Sequence, residues 1–99
     1  MIQHILLFKF TNDIPDSVIS DIIDKFNDCK AQLNGFISLQ HGKNISTKKH
    51  LSGNFNYCVI MSFNDLDSLN EYNTLKEHKE AQELQKPFLD EVLVFDINV

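Results

Sequence analysis

The sequence predicts an α+β fold in which strands and helices follow one another in the order β-α-β-β-α-β. Two observations predict this class. Four segments rich in β-branched and aromatic residues are bounded by turn residues, and helical periodicity joins the first two and the last two of them. The chain has 99 residues, which is enough for one domain, 1–99, with one hydrophobic core.

The first strand is predicted from Ile2 to Phe10, a segment rich in residues of high β-propensity. Successive side chains of a strand point to opposite faces, so the even positions place His4 in a row of large apolar residues. The odd positions include Ile5 and Leu7. Both faces of this strand are therefore predicted to be apolar.

The first helix is predicted to begin near Pro15, because proline is tolerated in a first helical turn. Apolar residues then recur at steps of three and four and form one stripe, which consists of Val18, Ile22, Phe26, Cys29 and Leu33. Asn34-Gly35 predicts a left-handed residue that ends the helix.

The second strand is predicted over 36–45, with Ile37, Leu39 and His41 on one face. Gly42 predicts a bulge or a close approach of backbone within this strand. A polar loop is expected over 46–54. The third strand is predicted over 55–63, with its odd-numbered residues on one face and its even-numbered residues on the other.

The second helical segment is predicted to begin after Asn64-Asp65, which can cap its free N–H groups. Asn73-Thr74 weakens this helix, and a further helical stretch extends to about Pro87. The last strand, 92–99, is apolar on both faces. The resulting order is ferredoxin-like, with a four-stranded antiparallel sheet and the helices on one of its faces.

The second face of this sheet predicts a homodimer. An antiparallel sheet with one face in water alternates apolar and polar residues, but the first, third and fourth strands carry large apolar residues on both sides. Such a face exceeds the few hundred Å² of apolar patch that a monomer tolerates. We therefore expect two copies to pack their open sheet faces together and to bury about 1,600 Å². The alternative is a monomer whose loops or C-terminus cover the face.

The composition argues against nucleic acid and membranes as partners. The net charge is −5 and all nine basic residues are lysines, whereas nucleic-acid binding normally uses a basic patch with arginines. No apolar run approaches the roughly 20 residues of a membrane span, and the N-terminal segment lacks the pattern of a signal peptide. We therefore expect a cytoplasmic protein.

The cysteines and histidines show no metal-ligand spacing. Cys29 and Cys58 lie in apolar patterns and are expected to be reduced thiols packed as small hydrophobic residues. His41 and His50 have no carboxylate or cysteine at the spacing of a zinc site, and no role is assigned to them. The chain has no phosphate-binding glycine loop and no Gly-x-Ser-x-Gly turn, so we expect neither a metal nor a cofactor.

Three segments resemble the stress-responsive A/B-barrel (Dabb) family. Ile2-x-His4-Ile5-x-Leu7-Phe8-Lys9-Phe10 is similar to the family's first strand, and Gly42-x-Asn44-Ile45-Ser46 is similar to its second-strand exit. Lys86-Pro87-x-Leu89 before Val92-Leu93-Val94-Phe95-Asp96 is similar to its last segment. The resemblance covers essentially the whole chain and implies a dimeric α+β barrel. The family includes cofactor-free polyketide cyclases but is functionally broad, so the fold alone assigns no activity.

The resemblance also implies a site. In the cyclase members a Tyr followed six residues later by a His forms an acid/base pair, and a His on the first strand lines the pocket; Tyr72, His78 and His4 occupy these places. The family often has His-Pro-x-His here, but this chain has Leu75-Lys76-Glu77-His78. Six residues of continuous helix turn about 600° and leave the two side chains about 120° apart, so their convergence requires a break in the helix.

The chemistry expected of this pair is acid/base catalysis. His78 can take a proton from an activated carbon acid, while Tyr72 can hold a carbonyl or enolate oxygen. The alternatives are structural: an exposed His78, a Tyr72 packed in the core, and a buried, hydrogen-bonded His4. Asp96 lies between apolar residues, where an unpaired carboxylate is costly, so we expect it to make a structural contact with a lysine or a partner subunit.

Three functions therefore stay open. The first is binding of a small apolar or aromatic molecule between helices and sheet. The second is a cofactor-independent acid/base enzyme, either polyketide cyclase-like or an isomerase, that uses Tyr72 and His78. The third is a non-catalytic, stress-protective structural dimer. The sequence does not decide whether the protein is an enzyme.

Overall fold

The computed structural model describes all residues, 1–99. The strands and helices follow in the order β1 (Ile2–Phe10), α1 (Asp16–Gln32), β2 (Phe36–Lys43), β3 (Tyr57–Phe63), α2 (Leu66–Thr74), α3 (Lys76–Gln85) and β4 (Leu89–Asn98). Short 3-10 turns occupy Lys49–Leu51 and Lys86–Phe88. None of the helices has the length and hydrophobicity that a membrane-spanning helix requires.

The four strands form one antiparallel sheet in the order β2-β3-β1-β4. The helices pack against one another and against β1, β2 and β3. The predicted ferredoxin-like α+β fold is confirmed. Its second helical segment is divided into two helices, α2 and α3.

Alternation along β1 and β3 forms the sheet side of the core. The even positions of β1 and the odd positions of β3 are paired across the ladder, for example Leu6 with Val59 and Phe8 with Tyr57. Both sets are buried beneath the helices: His4, Leu6, Phe8 and Phe10 on β1, and Tyr57, Val59, Met61 and Phe63 on β3. The predicted faces of both strands are confirmed because side chains of a strand alternate with a period of two.

Helix α1 covers this face with the predicted apolar stripe. Ile22, Phe26 and Cys29 are buried, and Val18 and Leu33 pack at the margin of the core. Burial at steps of three and four residues follows from the helical repeat of about 3.6 residues.

The end of α1 differs from the prediction. Leu33, directly after the helix, is extended with φ −122° and ψ 115°, and Gly35 has no positive φ. The predicted left-handed stop at Asn34-Gly35 is therefore wrong. Glycine is required at position 35 for space, because a Cβ atom there would lie 1.9 Å from Ser68 Oγ and 2.6 Å from Ser68 Cβ.

The irregularity of β2 also lies elsewhere than predicted. The register shifts between Phe36 and Ser38, whereas Gly42 is regularly paired and a Cβ atom on it would meet no atom within 4 Å. Because of this bulge, Phe36 is buried and Ile37 is 41% exposed. The predicted placement of Ile37 on one face with Leu39 is wrong for the same reason.

The ends of β3 and β4 are displaced relative to the prediction. β3 begins at Tyr57, and the side chain of Asn56 bonds the backbone of Phe10, accepting from the N–H at 3.0 Å and donating to the carbonyl at 2.8 Å. Phe55 lies beneath the Lys9 ammonium group, which is 4.9 Å from the ring centroid. β4 begins earlier than predicted, since Leu89 already pairs with Phe10.

The sheet face opposite the helices is apolar, as predicted. Ile5 and Leu7 of β1 are paired with Phe95 and Leu93 of the edge strand β4. Phe95 is 64% exposed and Leu93 is 47% exposed, and Ile97 extends the same row. A single chain thus leaves a contiguous apolar surface in water. This surface, with Ile5, Leu7, Leu93, Phe95 and Ile97 at its centre, is called the open face below.

Replacing Gly35 with Ala tests the close approach of β2 to α2. The new methyl group displaces Ser68, including its Cβ atom, so we expect the free energy of unfolding to fall by about 1–3 kcal/mol. Gly42→Ala is the matched control, because its methyl group meets open space. Urea unfolding of both variants measures the difference. Equal stabilities of the two variants would contradict the packing of Gly35 against Ser68.

Candidate functional site

A cavity of about 280 Å³ lies between the α2–α3 segment and the β1–β4 side of the sheet. The three site residues predicted from the sequence, His4, Tyr72 and His78, all line it. The other lining residues are Leu6, Phe8, Phe26, Leu69, Asn73, Gln82, Gln85, Val92, Val94 and Asp96. The lining combines apolar side chains with a small set of polar groups, which is typical of a ligand pocket.

A break in the helix brings Tyr72 and His78 together, as the sequence required. Helix α2 ends at Thr74, and Leu75 is extended, with φ −71° and ψ 143°, before α3 begins. The N–H of Leu75 donates to the Tyr72 carbonyl at 3.2 Å and closes the last turn of α2. The ring centroids of Tyr72 and His78 are 4.7 Å apart with an interplanar angle of 67°, an edge-to-face contact. The break thus forms without the family's proline.

His4 reaches the cavity from β1 and is held by a carboxylate from β4. The two residues are paired across the β1–β4 ladder, and His4 Nδ1 lies 2.5 Å from Asp96 Oδ1. His4 is 7% exposed, whereas the Asp96 side chain is 41% exposed. A neutral imidazole that donates its Nδ1–H to a carboxylate keeps the Nε2 lone pair free. The contact therefore fixes both the orientation and the tautomer of a neutral His4.

Asp96 is a lining residue that the sequence did not place in the site. Within the chain, Asp96 contacts His4 and not a lysine. An acidic residue in an apolar strand was a usable signal, as was a histidine in another apolar strand. Their pairing could not be predicted, because they are 92 residues apart and the register of β1 against β4 was unknown.

The protonation of His78 is set by its surroundings. The residue is half-buried, and burial is the main cause that lowers the pKa of its imidazole below the ordinary value of 6.5. Repulsion from His4 lowers this pKa further, and a hydrogen bond with the Asn73 backbone acts in the opposite direction. His78 is therefore neutral at pH 7 and can accept a proton.

Tyr72 is both a core residue and a wall of the cavity. Its side chain is fully buried, with the rings of Phe63 and His4 at centroid distances of 5.5 and 5.9 Å. Burial, with a smaller contribution from Cys29, raises the pKa of its phenol above the ordinary value of 10.0. The hydroxyl has no hydrogen-bond partner within the chain. An unpaired buried hydroxyl costs about 1–3 kcal/mol, and such groups often mark a site that awaits a partner.

The remaining histidines and the cysteines lie outside the cavity. His41 Nδ1 is 2.6 Å from the Tyr57 hydroxyl, and His50 is exposed in the 3-10 turn between β2 and β3. Both thiols are free; burial is the main cause that raises the pKa of Cys29 to about 11, and burial also raises the pKa of Cys58. No three His, Cys, Asp or Glu side chains are grouped so as to hold a metal ion.

Several solved structures share this fold. A protein of Arabidopsis thaliana has a TM-score of 0.86 and 21% identity, over 100% of this chain and 95% of its own. A dimeric ferredoxin-like protein of unknown function from Jannaschia sp. has a TM-score of 0.88 and 20% identity, over 99% and 98%. Hydroxynitrile lyase from Passiflora edulis has a TM-score of 0.82 and 11% identity, over 99% and 92%. At such identities the likeness shows the fold alone.

The family comparison is made on the sequence and spans nearly the whole chain. No curated protein sequence matches the chain. The sequence model of the Stress Responsive A/B Barrel Domain, Dabb, matches residues 2–99. The resemblance of the three segments is therefore confirmed, and the chain belongs to the stress responsive A/B barrel domain family.

Proposed function

We propose that the cavity binds a small aromatic molecule. The observation that carries this proposal is the convergence of two imidazoles, His4 and His78, on a cavity otherwise lined largely by apolar side chains. Its volume of about 280 Å³ lies near the lower end of the range for small-molecule pockets, which is about 300–1,000 Å³. Histidine nitrogens, together with the edge of the Tyr72 ring, offer an aromatic ligand both hydrogen bonds and ring contacts.

The volume limits the size of the ligand. The cavity measures about 280 Å³. An engineered apolar cavity of roughly 150 Å³ is large enough for benzene. The space therefore suits one aromatic ring with one or two substituents. Because neutral imidazoles accept hydrogen bonds through one nitrogen, a hydroxyl or amide N–H on the ring is a fitting substituent.

Blocking the cavity tests the binding function. Val94 lines the cavity from β4 and is 56% exposed, so a larger side chain can enter the cavity without disturbing the buried core. We expect Val94→Phe to weaken the binding of phenol by at least about tenfold, the equivalent of about 1.4 kcal/mol. Val99→Phe, directly after β4 and outside the lining, is the control and binds as the unmodified chain does.

The measurement is a titration with phenol followed by the NMR signals of the His4 and His78 imidazoles. Shifts that saturate in the unmodified chain and in Val99→Phe, and are lost in Val94→Phe, support binding in the cavity. Imidazole signals that do not respond to phenol at any concentration would reject it. The acid/base enzyme and the non-catalytic structural dimer would then be the remaining functions.

Acid/base catalysis is a second function, favoured by the neutral state of His78 beside a histidine held in one tautomer. A cofactor-independent enzyme of the cyclase or isomerase type needs a base that removes a proton from the carbon next to a carbonyl. In this proposal His78 takes that proton, the C–H electron pair moves to form an enolate, and His78 returns the proton to another atom. The Tyr72 hydroxyl, which has no partner in the chain, donates to the enolate oxygen.

Exchange of the α-hydrogens of acetophenone in D₂O tests this chemistry without knowledge of the natural substrate. We expect His78→Gln to lower the exchange rate by about 10²-fold, the lower bound for loss of a general base, while the neighbouring exposed Lys79→Gln leaves it unchanged. The rate rises with pH and levels off at a pKa below 6.5, because only the neutral imidazole accepts a proton. Exchange no faster than in buffer would reject catalysis and leave ligand binding intact.

Tyr72→Phe completes this test. Its exchange rate falls, but its melting temperature does not, since the hydroxyl that is removed has no partner to lose. A lower melting temperature would assign the hydroxyl to packing instead.

The open face is the proposed interface of a homodimer. Its apolar side chains, including Phe95 at 64% exposure and Leu93 at 47%, have no cover within the chain. Two such faces packed together as a barrel bury about 1,600 Å² or more, the size of a stable interface. The neighbour from Jannaschia sp., which has the same fold, is described as dimeric.

A charge at the centre of the open face tests the dimer. We expect static light scattering to give twice the chain mass for the unmodified protein and the single-chain mass for Phe95→Asp, because a buried unpaired carboxylate is costly. Leu66→Asp is the matched control, since Leu66 is 58% exposed on α2, away from the sheet. A single-chain mass for the unmodified protein at micromolar concentration would contradict the interface.

A further inference from the structure

The cavity lining contains an acidic residue but no lysine or arginine. Of its 13 lining residues, Asp96 is the only acidic one, and none is a lysine or an arginine. The polar residues that accompany it are the two histidines and three side-chain amides, from Asn73, Gln82 and Gln85. The lining therefore holds one carboxylate and no permanently cationic side chain.

The carboxylate of Asp96 is not neutralised by a lysine. Its ion-pair partner is His4, which can carry a compensating charge only when protonated. Lys25, Lys76 and Lys79 of α1 and α3 line a separate groove, where Lys25 Nζ lies 3.5 Å from Glu80 Oε1. On the sheet, Lys9 is paired with Glu91 at 3.1 Å.

We propose that the cavity selects neutral or cationic aromatic ligands against aromatic carboxylates, and that Asp96 is the specificity-determining residue. This inference rests on the proposed binding function and names the ligand class of the same cavity.

Three physical effects act against the binding of a carboxylate. A carboxylate that enters the cavity loses hydration and finds no cation to replace it, which is the costly case for a buried charge. It also lies within one cavity with the Asp96 carboxylate, and like charges repel more strongly near a protein than in bulk water. A neutral His4 with its Nδ1–H committed to Asp96 presents only an acceptor nitrogen to the ligand, and an acceptor cannot bind a carboxylate oxygen.

Three ligands of similar shape and different charge test the inference. Benzamide, benzoate and benzamidinium share a planar benzoyl-type frame and differ in charge. At pH 8.5 we expect benzoate to bind at least about tenfold more weakly than benzamide, and benzamidinium to bind at least as tightly as benzamide. Binding is followed by the NMR signals of the His4 and His78 imidazoles.

Variants of Asp96 assign the selection to one residue. Asp96→Asn keeps an oxygen acceptor for His4 Nδ1 and removes the charge, so we expect the ratio of benzamide to benzoate affinity to fall below about threefold. Asp96→Glu keeps the charge and keeps the discrimination. Asp90→Asn is the matched control, because it removes one charge from an exposed position of the same strand outside the cavity. Melting temperatures establish that each variant is folded.

The outcomes separate the inference from the function on which it rests. Equal binding of benzamide and benzoate to the unmodified chain overturns the charge selection and leaves the binding function standing. Discrimination that persists in Asp96→Asn overturns the assignment to Asp96. If none of the three probes shifts either imidazole signal, the binding function itself is rejected, and the selection with it. If Asp96→Asn does not fold, the ratio measured on the unmodified chain and on Asp96→Glu still decides the charge selection.

Discussion

The edge strand β4 is joined to the rest of the molecule through its pairing with β1, and both the cavity and the open face depend on this arrangement. The helices pack against one another and against the first three strands, so β4 extends beyond the layer that they cover. On the helix side, this leaves the space between α2–α3 and the sheet partly unfilled. On the other side of the sheet, which has no helices, β4 adds Leu93, Phe95 and Ile97 to the open face. The strand β4 thus borders both surfaces.

Alternation along β4 keeps these two surfaces apart. Val92, Val94 and Asp96 line the cavity, whereas the intervening Leu93 and Phe95 are paired with the odd positions of β1 on the open face. Because successive side chains of a strand point to opposite faces, a residue of β4 that lines the cavity does not lie on the open face. The proposed dimer and the proposed ligand site can therefore be altered independently, although they share a single strand.

Two polar groups of the cavity lower the stability of the fold. The Tyr72 hydroxyl is buried without a partner, and His78 is held where its charged form is disfavoured. Proteins commonly accept such costs where a group has to meet a ligand, and the unfilled volume beside these residues is consistent with that use. The comparisons leave the activity open, since likeness of fold to a hydroxynitrile lyase and to proteins of unknown function does not transfer function.

The sequence by itself determined the order of the elements and the faces that they bury. Periodicity of two along β1 and β3, and of three to four along α1, is a local property of the chain, and the apolar residues that follow it are the residues found in the core. The excess of apolar residues on both faces of the sheet was likewise visible in the sequence. The close packing at Gly35 and the bulge in β2 could not be predicted. The first depends on Ser68 of α2, and the second depends on the register of β2 against β3.

The site was only partly contained in the sequence. Its three candidate residues, His4, Tyr72 and His78, were predicted from the family resemblance. Helix geometry added that Tyr72 and His78 could meet only if the helix between them were broken. The tertiary structure decided where the break lies, at Leu75, and brought in Asp96, which is 92 residues from His4. Contacts of this kind depend on the pairing of distant strands, and the local pattern of a strand does not specify the register of its partner. The fold class follows from local periodicity, whereas the charge and shape of the cavity follow from long-range register.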